Sequence, residues 1–248
     1  MIARLAVHQL RYEIKAFRRT PQAVFFTFAL PLVMLTIFVS LNGDDRIAQY
    51  GGRDFAQYFV PGMLTFGAIT ATYGNLAART VYRREMGQLK RLRATPLPGA
   101  SYFAGSITNS VVVSLSVAAA VMLTGRLLYD VALPTDVLLL VAILLLGAAV
   151  FSALGLAVST FIGNPEASDA TIFGTMLPVV FISGVFDTVP PHSTIGRIAS
   201  FFPVQHLFHP VLAVYAGLSV DRFDLLYLML WGAAGALIAA RRFRWAPR

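Results

Sequence analysis

Few residues in this sequence have the types and spacing that catalysis or metal binding requires. Of the four histidines, only His206 and His209 stand three residues apart, the spacing with which one helical turn presents two imidazoles to a metal ion. No carboxylate accompanies them nearby in the sequence, so interfacial histidines are the better interpretation. A Gly-x-Ser-x-Gly nucleophile elbow, a His-Glu-x-x-His pair and a phosphate loop do not occur. We therefore predict no catalytic residue, no metal site and no ATP bound by this chain.

The other candidate binding groups are hydroxyls and amides inside long apolar stretches. An ion-coupled transporter usually keeps an ionisable side chain at bilayer depth, because the ion must bind to it. The interiors of the apolar stretches hold none. Two interpretations of their Thr, Ser and Asn residues stay open: hydrogen bonds between helices, or the lining of a substrate path.

The elements that carry these groups are predicted to be membrane-spanning helices. Of the 248 residues, 57% are hydrophobic and 13% are charged, whereas a soluble domain has roughly 25% charged residues. A helix that crosses the hydrocarbon core needs about 20 apolar residues. Uncharged stretches long enough, or nearly so, predict six spans, at about 21–42, 57–79, 99–124, 137–162, 169–186 and 223–241.

The segments outside the spans complete the predicted fold, an all-α integral membrane protein of one domain, 1–248. Residues 1–20 place Leu10, Ile14 and Phe17 on one helical stripe and basic residues on the opposite one, which predicts an amphipathic helix in the membrane interface. Residues 187–222 are apolar but interrupted by prolines, which predicts short re-entrant outer helices between spans five and six.

The distribution of basic residues predicts how the chain is oriented. Fifteen of the 20 Lys and Arg residues lie before span one, between spans two and three, or after span six, while eight of the twelve acids lie on the opposite side. The positive-inside rule then places both termini on the cytoplasmic side of the membrane. Anionic lipid headgroups explain these juxtamembrane charges better than nucleic acid, so membrane lipids are expected partners and nucleic acid is not.

Two segments, residues 84–97 and residues 181–186 with the Pro pair that follows them, resemble segments of the ABC-2 family of bacterial export permeases. Residues 84–97 read REMGQLKRLRATPL, similar to the family's cytoplasmic pattern of an acid, a Gly two residues on, a basic helix containing Leu, and a terminal Thr-Pro. Residues 181–186 read FISGVF and are followed by a Pro pair and short apolar runs, similar to the family's segment between spans five and six. With the N-terminal helix and six spans, the resemblance covers nearly the whole chain.

The resemblance implies a permease subunit that exports a hydrophobic or amphiphilic substrate, such as a drug or a lipid. In the bacterial inner membrane, such a subunit would pair with a second permease copy, identical or related, and with separate ATP-binding subunits that would hold ATP and Mg²⁺. The branch that it most resembles is the daunorubicin-resistance type of multidrug efflux permease. The alternatives are a small ion-coupled secondary transporter and a membrane scaffold or enzyme without transport activity.

The resemblance also implies two sets of site residues. Residues 83–96 would form a coupling helix that seats on the ATP-binding subunit: Glu85 pairs with a basic group or caps the helix, Leu89 and Leu92 fill a groove, and Arg91 meets acids. The coupling set is Arg84, Glu85, Gly87, Leu89, Arg91, Leu92 and Pro96. The substrate path between spans two and five of facing protomers is expected at Thr65, Phe66, Thr72, Asn75, Thr171, Phe173, Thr175, Phe181 and Ser183.

Overall fold

Helices make up almost all of the described chain. The structure is a computed structural model that describes residues 2–42, 46–47, 53–95, 98–190 and 192–247. Its helices are α1 (Ile2–Arg18), α2 (Pro21–Asn42), α3 (Phe55–Ile69), α4 (Asn75–Glu85), α5 (Gln88–Arg93), α6 (Gly99–Tyr129), α7 (Val137–Ser159), α8 (Ser168–Ile182), α9 (Thr194–Ala199), α10 (Pro203–Ala216) and α11 (Arg222–Arg242). One antiparallel pair of two-residue strands, β1 (Arg46–Ile47) and β2 (Arg53–Asp54), precedes α3.

Four of the described helices are long and apolar enough to cross a membrane, namely the Ala23–Asn42 part of α2 together with α6, α7 and α11. The predicted second span is a composite. A π-helical turn at Thr70–Gly74 joins α3 to α4 without leaving helical backbone angles, so residues 55–85 form one rod about 46 Å long at about 1.5 Å per residue. The predicted fifth span, α8, is shorter. The all-helical membrane architecture is confirmed, and the count of six spans stays a prediction.

Close contacts at two glycines show how α7 and α11 are oriented relative to each other. A Cβ on Gly232 would lie 2.8 Å from the Val150 side chain, and one on Gly235 would lie 2.9 Å from the Leu154 side chain. Because the residue numbers of these contacts increase along both helices, α7 and α11 run parallel. Their C-terminal ends therefore lie at the same end of the bundle.

That end also gathers α1, α5, the C-terminal end of α4 and the N-terminal end of α6. Arg84 of α4 donates to the carbonyl of Ser159 at the end of α7. Gln9 of α1 packs against Gly105 of α6, where a Cβ would lie only 2.6 Å from the Gln9 side chain. We call this region the basic end. It brings α1 and the end of α11 together, as the predicted orientation requires, although the side of the membrane stays a prediction.

The chain after α8 folds back into the opposite end of the bundle. Gly184 has a φ of +83°, in the left-handed region that favours glycine, and its carbonyl accepts a hydrogen bond from the Tyr58 hydroxyl. A Cβ on Gly62 would overlap the carbonyl oxygen of Val185. The short helices α9 and α10 follow, and Leu207 of α10 packs against Gly147 of α7. Short helices after α8 are thus present, and their re-entrant depth stays a prediction.

Candidate functional site

The predicted coupling segment is a helix, a sharp turn and a second short helix. Gly87 has a φ of +68°, a left-handed conformation that allows the chain to turn between α4 and α5. The Gly87 amide donates to the carbonyl of Arg84 at 2.9 Å, and the Thr95 hydroxyl donates to the carbonyl of Leu92 at 2.6 Å after α5 ends. Pro96, predicted to end this helix, lies outside the described residues.

The coupling residues divide between the interior of the chain and its surface. Arg84 and Leu89 are each 1% exposed, and Leu92 is half-buried, whereas Arg91 is exposed. The expected groove filling by Leu89 is therefore not available in this conformation, because that side chain is already packed within the bundle. The exposed side of the segment consists instead of Met86, Gln88, Lys90, Arg91, Arg93, Ala94 and Thr95. Which of them touch a partner stays a prediction.

Arg84 ties the end of α4 to the end of α7. Its guanidinium donates to Glu85 Oε1 at 2.7 Å, to the Ser159 carbonyl at 2.8 Å and to the Ile162 carbonyl. The last carbonyls of a helix have no partner within the helix, so a cation there satisfies them and complements the helix dipole. Glu85 thus pairs with a basic group of this chain, and its role in coupling stays a prediction.

Glu13 is the centre of a buried ionic cluster that the sequence reasoning missed. It is 1% exposed, and its carboxylate accepts hydrogen bonds from both terminal guanidinium nitrogens of Arg83, one of them at 2.9 Å. Arg79 lies 3.5 Å away, and Ser106 and Gln9 donate to the same carboxylate at 3.1 and 3.0 Å. One carboxylate therefore joins α1, α4 and α6. The signal in the sequence was that Glu13 is the only acid before Asp44, in a segment with five basic residues.

The basic partners keep Glu13 ionised. Burial alone would raise the pKa of the Glu13 carboxyl, but the hydrogen bond and charge of Arg83, with the charge of Arg79, outweigh it. The pKa of Glu13 therefore lies below its ordinary value. The attraction persists at every pH at which the carboxylate is charged. The docking of α1 is therefore retained at neutral pH and should weaken only in acid.

The predicted substrate-path residues divide between the interior and the surface of the chain. Thr65, Phe66, Thr72 and Ser183 are buried, and each of the three hydroxyls donates to a carbonyl four residues earlier in its own helix. The remaining five divide between a half-buried pair, Asn75 and Phe173, and the exposed residues Thr171, Thr175 and Phe181 of α8. A path lined by the exposed residues would need a second surface, and it stays a prediction.

A polar seam beside the π-helical turn joins α8 and α2 to the composite span. The Tyr73 hydroxyl lies 2.9 Å from the Thr175 hydroxyl, and Asn75 donates to the Thr27 hydroxyl at 2.8 Å. A Cβ on Gly155 of α7 would lie 2.7 Å from the Tyr73 carbonyl, so only glycine allows this approach. Of the path residues, Asn75 and Thr175 thus make hydrogen bonds between helices. π-helical turns occur often at functional sites.

Asp224 accompanies the His206 and His209 pair in the folded chain, although no carboxylate lies near them in the sequence. The Asp224 carboxylate, in the first turn of α11, lies 2.6 Å from His206 Nδ1 and 3.8 Å from His209 Nδ1. His206 Nε2 lies 2.8 Å from the Ser200 carbonyl. Both ring nitrogens of His206 thus face acceptors, which requires a doubly protonated ring and leaves no lone pair for a metal ion. We call these three residues the outer cluster.

Protonation of His206 should make the stability of the outer cluster depend on pH. Burial lowers the pKa of His206. The hydrogen bonds to Asp224 and to the Ser200 carbonyl, together with the charges of the nearby acids, raise it by more, so the net pKa lies above the ordinary value of 6.5. The stabilisation is therefore complete below pH 6.5 and is lost as the pH rises through the raised pKa. We expect the unfolding temperature to fall by a few degrees from about pH 6 to about pH 9.

The His206→Gln variant should lose most of this pH dependence, measured by thermal unfolding of the purified chain in detergent. The His192→Gln variant is the matched control, because His192 is exposed and lies outside the outer cluster. Equal pH dependence in His206→Gln and the unaltered chain would contradict the charged state assigned to His206.

Comparison with known proteins agrees with this architecture. Residues 7–216 match the family described as ABC-2 type transporter, a range that includes most of α1, the α4–α5 turn and α10. The chain is 25% identical over 164 residues to the inner membrane transport permease YadH of Escherichia coli K12, and to the same permease of Shigella flexneri. These alignments cover 64% of this chain, which spans 63% of the length of those relatives.

The family match and the four long apolar helices support a multi-pass membrane protein. The family match covers both segments that carried the resemblance, and it runs from α1 to the end of α10. This chain belongs to the ABC-2 type transporter family.

Proposed function

We propose that this chain is the membrane-spanning permease subunit of an ATP-binding cassette exporter that moves a hydrophobic or amphiphilic substrate out of the cell. The match to the ABC-2 family over residues 7–216 carries the proposal. Members of this family normally work with a separate ATP-binding subunit, which would hold the ATP and Mg²⁺. A second permease copy, identical or related, would complete the transporter.

The α4–α5 segment is the proposed contact with the ATP-binding subunit. It exposes three basic residues, Lys90, Arg91 and Arg93, while Leu89 anchors α5 in the bundle. Movement of α5 would pass directly into the composite span, because the turn at Gly87 joins the two helices. Arg84 would carry it on to α7, and Arg83 would carry it to α1 through Glu13. The buried charges thus support a mechanical role for the residues beside the turn.

Assembly with the ATP-binding subunit tests the proposed contact. We expect Arg91→Glu to lower the amount of ATP-binding cassette protein that co-purifies from cells expressing both by at least tenfold, about 1.4 kcal/mol. The reversed charge would repel the acids expected on the partner. Arg126→Glu is the matched control, because Arg126 is half-exposed at the opposite end of the bundle. Full assembly and substrate-stimulated ATP hydrolysis with Arg91→Glu would exclude this contact.

Cysteine labelling tests the proposed cytoplasmic location of the basic end. The chain has no cysteine, so single introduced thiols report unambiguously. Thiols at the exposed positions Leu133 and Asp187 should react with an impermeant reagent added to intact cells, while those at Lys90 and Arg244 should react only after lysis. Arg84 is unsuitable because it is buried. Labelling of Lys90→Cys from outside would reverse the proposed orientation.

The alternative of a small ion-coupled secondary transporter makes a different prediction. Its transport would follow an ion gradient and continue without an ATP-binding subunit. In vesicles containing this chain and its ATP-binding partner, the proposed exporter should move substrate only when ATP is hydrolysed. Transport driven by a proton or sodium gradient in vesicles containing this chain alone would support the alternative.

A further inference from the structure

An open cavity of about 480 Å³ lies at the basic end, beside the C-terminal ends of α7 and α11. Its lining consists of Thr160, Arg241, Arg242, Phe243 and Arg244. The three arginines are exposed, and none of them pairs with a carboxylate among the residues that the structure describes. The Arg242 guanidinium lies over the Phe161 ring, 5.1 Å from its centroid, a contact that orients the group without neutralising it. Among the described residues, no acid therefore compensates the positive charge of this cavity.

An apolar cleft of about 260 Å³ adjoins this cavity and shares Phe243 with it. The other lining residues are Phe103, Leu156, Ala239, Ala240 and Trp245. Trp245 is held in place by neighbouring rings, with centroids 5.5 Å from Phe103 and 5.4 Å from Phe243, and by Gly99, where a Cβ would lie 2.9 Å from the indole. A basic cavity beside an aromatic cleft, with Phe243 lining both, matches a ligand with an anionic head and a hydrocarbon tail.

We propose that this site binds a phospholipid with an anionic headgroup. Its phosphate would lie among Arg241, Arg242 and Arg244, and part of one acyl chain would lie in the cleft formed by Phe103, Phe243 and Trp245. The ends of membrane-spanning helices lie at headgroup depth, where basic side chains attract anionic lipids. The proposal rests on membrane insertion of the chain and not on the identity of its substrate or its ATP-binding partner.

Trp245 provides a local reporter for this site. The chain has two tryptophans, so Trp231→Phe leaves Trp245 as the only one. In the purified full chain in detergent micelles, brominated phosphatidylglycerol should quench Trp245 at a mole fraction about tenfold lower than brominated phosphatidylcholine does. Equal quenching by the two lipids would overturn the proposal. Displacement of the brominated lipid by inorganic phosphate would also overturn it, because the ligand would then be a free anion and not a lipid.

Charge-neutral variants separate a defined site from general surface charge. Arg241→Gln, Arg242→Gln and Arg244→Gln together should remove the preference for the anionic lipid, and Arg244→Gln alone should reduce it roughly twofold, its share of the about tenfold preference. The matched control neutralises Lys90, Arg91 and Arg93, three exposed charges at the same end that do not line the cavity. This control should keep the preference. Equal loss in the control, or an unchanged preference in the well-folded Arg244→Gln variant, would contradict the site.

Discussion

Replacing Glu13 with glutamine is expected to release α1 from the bundle, and to raise hydrogen exchange of its amides by roughly two to three orders of magnitude. The change leaves the half-buried guanidinium groups of Arg83 and Arg79 without their common counter-ion. Removing one partner of a buried ion pair typically costs about 3 to 5 kcal/mol, which corresponds to that increase. Exchange measured by mass spectrometry on the purified chain in detergent would report α1 separately from the spans.

Two further variants make this result specific. Glu166→Gln is the matched control because Glu166 is exposed, and its exchange pattern should equal that of the unaltered chain. The Glu13→Gln, Arg83→Gln double variant should lose less protection of α1 than the sum of the losses in the two single variants. In the double variant, neither side chain of the pair carries a charge that lacks its partner. Unchanged protection of α1 in Glu13→Gln would mean that apolar packing alone holds this helix.

The Arg84→Met variant is expected to lower the free energy of unfolding by about 3 kcal/mol or more. Methionine fills similar space, but it leaves the carbonyls of Ser159 and Ile162 without a donor and removes the cation beside Glu85. Denaturation of the purified chain in mixed micelles would measure the loss. Arg93→Met is the matched control, because Arg93 is exposed.

Lysine at position 84 tests the geometry of this contact. One ammonium group lacks the planar fork with which a guanidinium reaches Glu85 and two carbonyls together. We therefore expect Arg84→Lys to recover less than half of the stability lost in Arg84→Met. If Arg84→Met were as stable as the unaltered chain but failed to assemble with the ATP-binding subunit, Arg84 would act at the partner surface after all.

Much of the fold could be predicted from the sequence because insertion into a membrane depends on the composition of each segment. The observed α2, α6 and α7 begin and end close to the predicted spans 21–42, 99–124 and 137–162. The fifth predicted span ended at 186, but α8 ends at Ile182, because the chain then turns into the bundle around Gly184. The π-helical turn in the second span had no visible signal, since it depends on packing against α7 and α8.

The candidate site was harder to predict, because local spacing does not reveal which side of a short helix is buried. Leu89 and Leu92 were expected to form one apolar ridge for a partner, but Leu89 packs into this chain and Leu92 is half-buried. His206 and Asp224 are 18 residues apart, and only the antiparallel approach of α10 and α11 brings them together.

The sequence by itself determined that this is a helical membrane protein, which segments are apolar, where positive charge accumulates and which family the chain resembles. Those properties follow from residue type and from distances along the chain. Only the tertiary structure decided which charges are buried and which partners neutralise them. Glu13 and Arg83 are 70 residues apart, and Arg84 and Ser159 are 75 residues apart, so each pair exists only because helix packing brings distant segments within hydrogen-bonding distance.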